Sequence, residues 1–122
     1  MVKLKCHCEK VELEVKLPKK IENIVRCNCT LCKRKGTAMI PLGPNDLEII
    51  KGKDILNCYQ YHTKTAKHFF CSNCGIYTHH NPRRDPKSYV INAGWLDNID
   101  IHNFNNIKNI DGRNHPLDKK WN

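Results

Sequence analysis

Seven of the eight cysteines in this chain fall in three short clusters, and their spacing limits the possible folds more than any other feature. The clusters are Cys6-His7-Cys8, Cys27-Asn28-Cys29-Thr30-Leu31-Cys32 and Cys71-Ser72-Asn73-Cys74-Gly75. Two thiolates one or two residues apart reach the same metal ion from one loop, and two such loops close a tetrahedron. Gly75, directly after Cys74, suits the tight turn around a bound ion. The simplest division joins Cys6, Cys8, Cys71 and Cys74 in one closed, structural Zn²⁺ site. Cys27, Cys29 and Cys32 then hold a second Zn²⁺ whose fourth position is left for water or a substrate atom. The expectation is two zinc ions per chain. A second division stays open, in which both ions are structural and a histidine or Cys58 completes the triplet. Cys58 itself, in Leu56-Asn57-Cys58-Tyr59, is expected as a small buried hydrophobe. A thioredoxin-type redox pair is disfavoured, because Cys71 to Gly75 does not open a helix after a βαβ pattern.

The metal reading depends on compartment. Met1-Val2-Lys3-Leu4-Lys5 has no apolar core of a secretory leader, and no apolar run approaches the ~20 residues of a membrane span. The chain is therefore expected to be soluble and cytoplasmic, without membrane contact, where clustered thiols are metal ligands rather than disulfides. Its 122 residues suit one domain over 1–122. With 39% hydrophobic and 7% aromatic residues the core is modest, so metal cross-links would help it. The formal charge of +9 counts cysteines as neutral; seven thiolates and two Zn²⁺ add −7 and +4, leaving +6. The lysines are scattered, and aromatic residues rarely interleave with them as single-strand binding needs. A nucleic-acid partner is not expected.

Hydrophobic periodicity points to a mainly β chain. Val11 to Leu17 alternates apolar and charged residues, the period of a half-buried strand, and Pro18 stops it. Further strands are predicted near Ile24 to Arg26, Ala38 to Leu42, Leu47 to Ile50, Leu56 to Tyr61, Lys67 to Cys71, Ile76 to His80 and Ser88 to Ala93. Thr30 to Lys35 reads as a helical turn ended by Gly36. No element is assigned to the Asn- and Asp-rich stretch after Asp97.

The ordered pieces resemble the glutathione-dependent formaldehyde-activating enzyme (GFA) family, which includes centromere protein V. The resemblance rests on Cys6-His7-Cys8 before an alternating strand, on Cys27 to Gly36, and on Leu47-Glu48-Ile49-Ile50-Lys51-Gly52. It continues through Tyr59-Gln60-Tyr61, His68 to Ile76, and Asn92-Ala93-Gly94-Trp95-Leu96-Asp97. Glu9 and Lys10 stand where the family commonly has glycine and alanine. Lys33-Arg34-Lys35-Gly36 looks more like the centromere-protein-V branch. The resemblance implies an Mss4-like fold of coiled antiparallel β-sheets with short helical turns. It also implies a structural zinc on Cys6, Cys8, Cys71 and Cys74 and a catalytic zinc on Cys27, Cys29 and Cys32. The implied activity is that of a carbon–sulfur lyase acting on glutathione–aldehyde adducts such as S-hydroxymethylglutathione.

That chemistry needs a proton donor for the adduct oxygen, for which His68, His79 and His80 are candidates. Lys33, Arg34 and Lys35 after Cys32, and Arg83 and Arg84 in a later loop, are candidates to attract the carboxylates of a thiol such as glutathione. The competing expectation is a non-catalytic zinc module that binds protein or nucleic acid, since a fold does not fix a function.

Overall fold

The computed structural model describes residues 1–114. Among them run ten short strands: β1 (Val2–Lys5), β2 (Glu12–Val15), β3 (Ile24–Cys27), β4 (Met39–Leu42), β5 (Leu47–Lys51), β6 (Leu56–Tyr59), β7 (Lys67–Cys71), β8 (Tyr77–Asn81), β9 (Tyr89–Asn92) and β10 (Ile107–Ile110). One α-helix, α1 (Thr30–Lys35), follows β3, and short 3₁₀ turns cover Lys53–Ile55, Ala93–Trp95 and Gly112–Asn114. The chain is mostly β, as its periodicity predicts.

The strands form two sheets. The smaller has the order β1-β2-β5 and the larger β10-β3-β4-β9-β8-β7-β6. In the small sheet β2 alternates as read from sequence: Leu13 and Val15 are fully buried, while Glu12 and Glu14 are half-exposed on the other face. Glu12 pairs across the strand with Lys5, and Glu14 with Lys3. Such opposite-charge neighbours fix register and contribute a few tenths of a kcal/mol to ~1 kcal/mol. Leu4, Val11, Leu13 and Val15 join Ile24, Ala38, Ile40, Ile91 and Trp95 in one apolar core. Burying a large side chain such as Leu13, Ile24 or Ile91 stabilises the fold by about 1.5–3 kcal/mol each.

Two elements and one residue depart from the sequence reading. Val2–Lys5 forms β1, although only Leu4 of its side chains is buried. The Asn- and Asp-rich segment yields β10, which pairs parallel to β3 with Ile107 opposite Ile24 and Ile110 opposite Cys27. It is the exception in otherwise antiparallel sheets. Cys58 is also corrected: it lies on β6, the edge strand of the large sheet, and is exposed rather than buried. A four-residue edge strand with three exposed residues has no inner layer to cover that thiol.

Candidate metal centres and the cleft above them

The first cysteine set is assembled by two tight turns. After β1 the chain reverses through Cys6 to Glu9, where the Glu9 N–H donates to the Cys6 carbonyl at 2.9 Å. After β7 a matching turn has the Gly75 N–H donating to the Cys71 carbonyl at 2.8 Å, with Gly75 at φ 75°. Both turns place a residue in the left-handed region. Gly75 adopts it freely, whereas Glu9, at φ 63°, does so against the contact between its Cβ and the backbone. The turns bring the sulfurs of Cys6, Cys8, Cys71 and Cys74 within 4.8 Å of one another. The Val11 N–H donates to Cys6 Sγ at 3.4 Å. A hydrogen bond from the Asn73 side chain, followed by backbone donation, lowers the Cys8 thiol to about 6. Burial pushes Cys6 up to about 11. Four soft donors with N–H groups aimed at them fit a d¹⁰ ion of zinc type.

The second set sits where β3 runs into α1. Cys29 caps the helix: its backbone is extended and its Sγ accepts from the Cys32 N–H at 3.3 Å. The Cys29 N–H in turn points at Cys27 Sγ, 3.5 Å away. The C-x-C-x-x-C spacing thus places one thiol at the end of β3, one at the helix cap and the third on the first helical turn, where all three sulfurs lie within 4.8 Å of one another. Hydrogen bonds with Cys27 and Cys32 hold Cys29 far below the usual thiol range, whereas hydrogen bonds with Cys27 and Cys29, together with burial, push Cys32 up. Among the described residues no fourth Cys, His, Asp or Glu joins this group.

The segment after β10 covers one side of the triplet. Asn28 holds it with three bonds: its N–H to the Ile110 carbonyl at 3.1 Å, its side-chain amide to Asp111 at 3.0 Å, and its Oδ1 to the Arg113 N–H at 2.9 Å. Gly112 is buried there, and a Cβ at that position would run into Cys27 Sγ.

The other side of the triplet opens into a cleft of about 290 Å³. Cys27, Cys29 and Cys32 form part of its lining, with Val25, Met39, Val90 and Ile110 as apolar walls. Of the three candidate histidines, His68 and His80 reach this cleft and His79 does not. His79 is buried beneath it, stacked on Phe69 at 4.7 Å between ring centres and bonded to the Thr78 hydroxyl at 2.8 Å. Burial holds it neutral down to about 4.

His68 has a specific partner. Lys35, the last residue of α1, folds inward so that Nζ lies 2.9 Å from His68 Nδ1 and 3.8 Å from the centre of the Tyr77 ring. Burial lowers the Lys35 ammonium to about 8, so it stays protonated at neutral pH. Burial and the charge of Lys35 lower His68 to about 3. An ammonium has only donors, so Nδ1 accepts and the proton of neutral His68 resides on Nε2. His80 stacks on His68 at 4.8 Å, and its Nδ1 meets the Tyr77 hydroxyl at 2.6 Å.

The cationic candidates separate by position. Arg83 and Arg84 line the cleft. Lys33 and Arg34 are exposed outside it; Arg34 donates to the Thr30 carbonyl at 2.8 Å, and Lys33 borders a shallower groove with Arg26 and Arg113. Tyr61 is a cleft residue that sequence reasoning did not single out for chemistry. It packs between Tyr59 and His68 and its hydroxyl bonds Cys29.

The chain is thus a two-sheet β protein with two separate cysteine clusters that could each hold a metal ion, one of them lining a cleft. Residues 1–110 match the family described as "Glutathione-dependent formaldehyde-activating enzyme". The chain belongs to this GFA family. The crystal structure of a Rhodobacter sphaeroides protein is similar, with a TM-score of 0.83 and 37% identity, covering 89% of this chain and 100% of that one. No helix of the described residues is long and apolar enough to cross a membrane.

Proposed function

We propose that this protein is a zinc-dependent carbon–sulfur lyase that makes or breaks the bond between the sulfur of glutathione, or a similar thiol, and the carbon of an aldehyde. The observation that carries this reading is the placement of three convergent cysteines at an open cleft, with no fourth Cys, His, Asp or Glu beside them among the described residues. In this reading Cys6, Cys8, Cys71 and Cys74 hold a structural zinc, and Cys27, Cys29 and Cys32 hold a catalytic one. Zinc bound by the triplet would supply Lewis acidity that keeps an incoming thiol deprotonated at neutral pH.

The remaining work falls to side chains. The thiolate sulfur adds to the carbonyl carbon, the π pair moves to oxygen, and the new alkoxide needs a proton. His68 donates it from Nε2, and the Lys35 ammonium passes a proton to Nδ1, 2.9 Å away, so the imidazole stays neutral. Nδ1 then returns its proton to the neutral Lys35 amine while Nε2 takes one from solvent, which restores the starting tautomer. Lyase turnover runs the same steps backwards. The walls keep the reacting carbon from bulk water, and Arg83 and Arg84 draw the thiol's carboxylates toward the cleft.

The test is exchange of the glutathione–formaldehyde adduct followed by NMR in the presence of zinc-loaded protein. Acceleration over the buffer rate that is lost in His68→Gln supports the reading. No acceleration across several aldehydes rejects it.

A further inference from the structure

The cleft is too large and too apolar for a one-carbon group. Val25 comes from β3, Met39 and Pro41 from β4, Val90 from β9, Ile110 from β10, and Ala66 from the loop before β7. Five strands and loops thus contribute apolar surface to one space of about 290 Å³. An apolar cavity of ~150 Å³ accommodates benzene, and a water molecule takes up ~30 Å³. A hydroxymethyl group, with one carbon and one oxygen, would leave most of these walls uncovered.

Glutathione itself is a poor occupant of that space. Its two carboxylates, ammonium and amides would lose water against the apolar part of the cleft, away from the polar lining that Tyr61, His68, His80 and the turn from Arg83 to Ser88 supply. Those charges belong near Arg83, Arg84, Asp85 and Ser88, in the turn between β8 and β9. What remains to fill the apolar part is the group carried by the carbonyl carbon.

We propose that the preferred aldehyde of this protein is an apolar one of about six to ten carbons, its chain or ring lying between Val25, Met39, Pro41, Ala66, Val90 and Ile110. This rests on the lyase reading, because that reaction places the aldehyde carbon beside the triplet. It sets the substrate class apart from the formaldehyde in the family's description.

S-alkyl glutathiones are unreactive thioethers that keep the sulfur–carbon bond, so they report the cleft without turnover. Calorimetry on the zinc-loaded protein compares S-methylglutathione with S-hexylglutathione. Each buried methylene tightens binding by about fourfold at full burial. The expected gain from methyl to hexyl is at least ~30-fold, allowing for incomplete burial. Ala66→Phe, which fills the proposed chain position, should remove most of that gain, with zinc content unchanged as the check that the fold survives. A parallel assay compares hexanal with formaldehyde at equal concentration, with glutathione fixed. Faster exchange of hexanal supports the assignment. Equal affinity of the two thioethers, or exchange tenfold faster with formaldehyde, overturns it while leaving the lyase reading intact. Chain-length-dependent binding with no exchange of any aldehyde rejects the lyase reading and this assignment with it, although the cleft remains an apolar binding site.

Discussion

At the scale of single residues, Glu9 and Gly112 carry testable consequences. Glu9 holds φ 63° in the first cysteine turn, where its only ion pair among the described residues is an exposed contact with Lys5 at 3.4 Å. Such a pair contributes little, whereas the left-handed backbone costs a residue with a Cβ about 1–2 kcal/mol. Glu9→Gly should therefore stabilise the protein by about 1 kcal/mol, after the extra freedom glycine gives the unfolded chain. The midpoint of urea unfolding measures it. Gly112 lies against Cys27 with no room for a methyl group. Gly112→Ala should displace Cys27 Sγ and lower metal content toward one ion per chain, leaving the Cys6, Cys8, Cys71 and Cys74 set loaded. Elemental analysis checks this directly.

At the scale of elements, the contact between the end of α1 and β7 sets the Lys35 ammonium against His68, the pair to which the proposed reaction gives the proton transfer. His68→Gln keeps a hydrogen-bonding group but cannot shuttle a proton, so kcat should fall by ~10²-fold or more with KM and metal content little changed. Single-turnover and steady-state kinetics separate these effects. The same region indicates what a sequence can disclose. The cysteine clusters were legible because ligand spacing is local: one turn brings Cys6 to Cys8, and one helix start brings Cys29 to Cys32. The Val11 to Val15 strand was legible because its alternation is strict. Lys35 beside His68 was not, since the two lie 33 positions apart and meet only through packing. Nor was β10, whose four residues bury only Ile107 and Ile110, and those partly; its place depends on β3 and on Asn28. Cys58 was misjudged because apolar neighbours in sequence do not reveal which strand ends up at a sheet edge.

For the whole molecule, three buried histidines on adjacent strands couple folding to pH. His68, His79 and His80 are each less than a tenth exposed, and burial lowers all three, His79 to about 4 and His68 to about 3. Unfolded, each titrates near ~6.5. Between those values the unfolded chain binds more protons than the native one, so stability rises with pH and is lost as pH falls from 6.5 toward 4. Each histidine contributes about 1.4 kcal/mol per pH unit within that window. His79→Gln, which leaves the cleft lining unchanged, should reduce the slope of stability against pH by one proton between pH 6 and 5. Urea titrations at a series of pH values provide the comparison, and an unchanged slope would mean that His79 is charged in the native protein.

Central to the proposed function are two cysteine sets that would bind metal independently, with only the triplet serving the reaction. Cys32→Ser separates them, because Cys32 belongs to the triplet while the other four sulfurs are held by turns on β1 and β7. The decisive measurement is zinc per folded chain together with the adduct-exchange rate in this variant. We predict one zinc instead of two, near-native unfolding, and exchange reduced to the buffer rate. Two zinc ions retained, or exchange that persists at the wild-type rate, would contradict it.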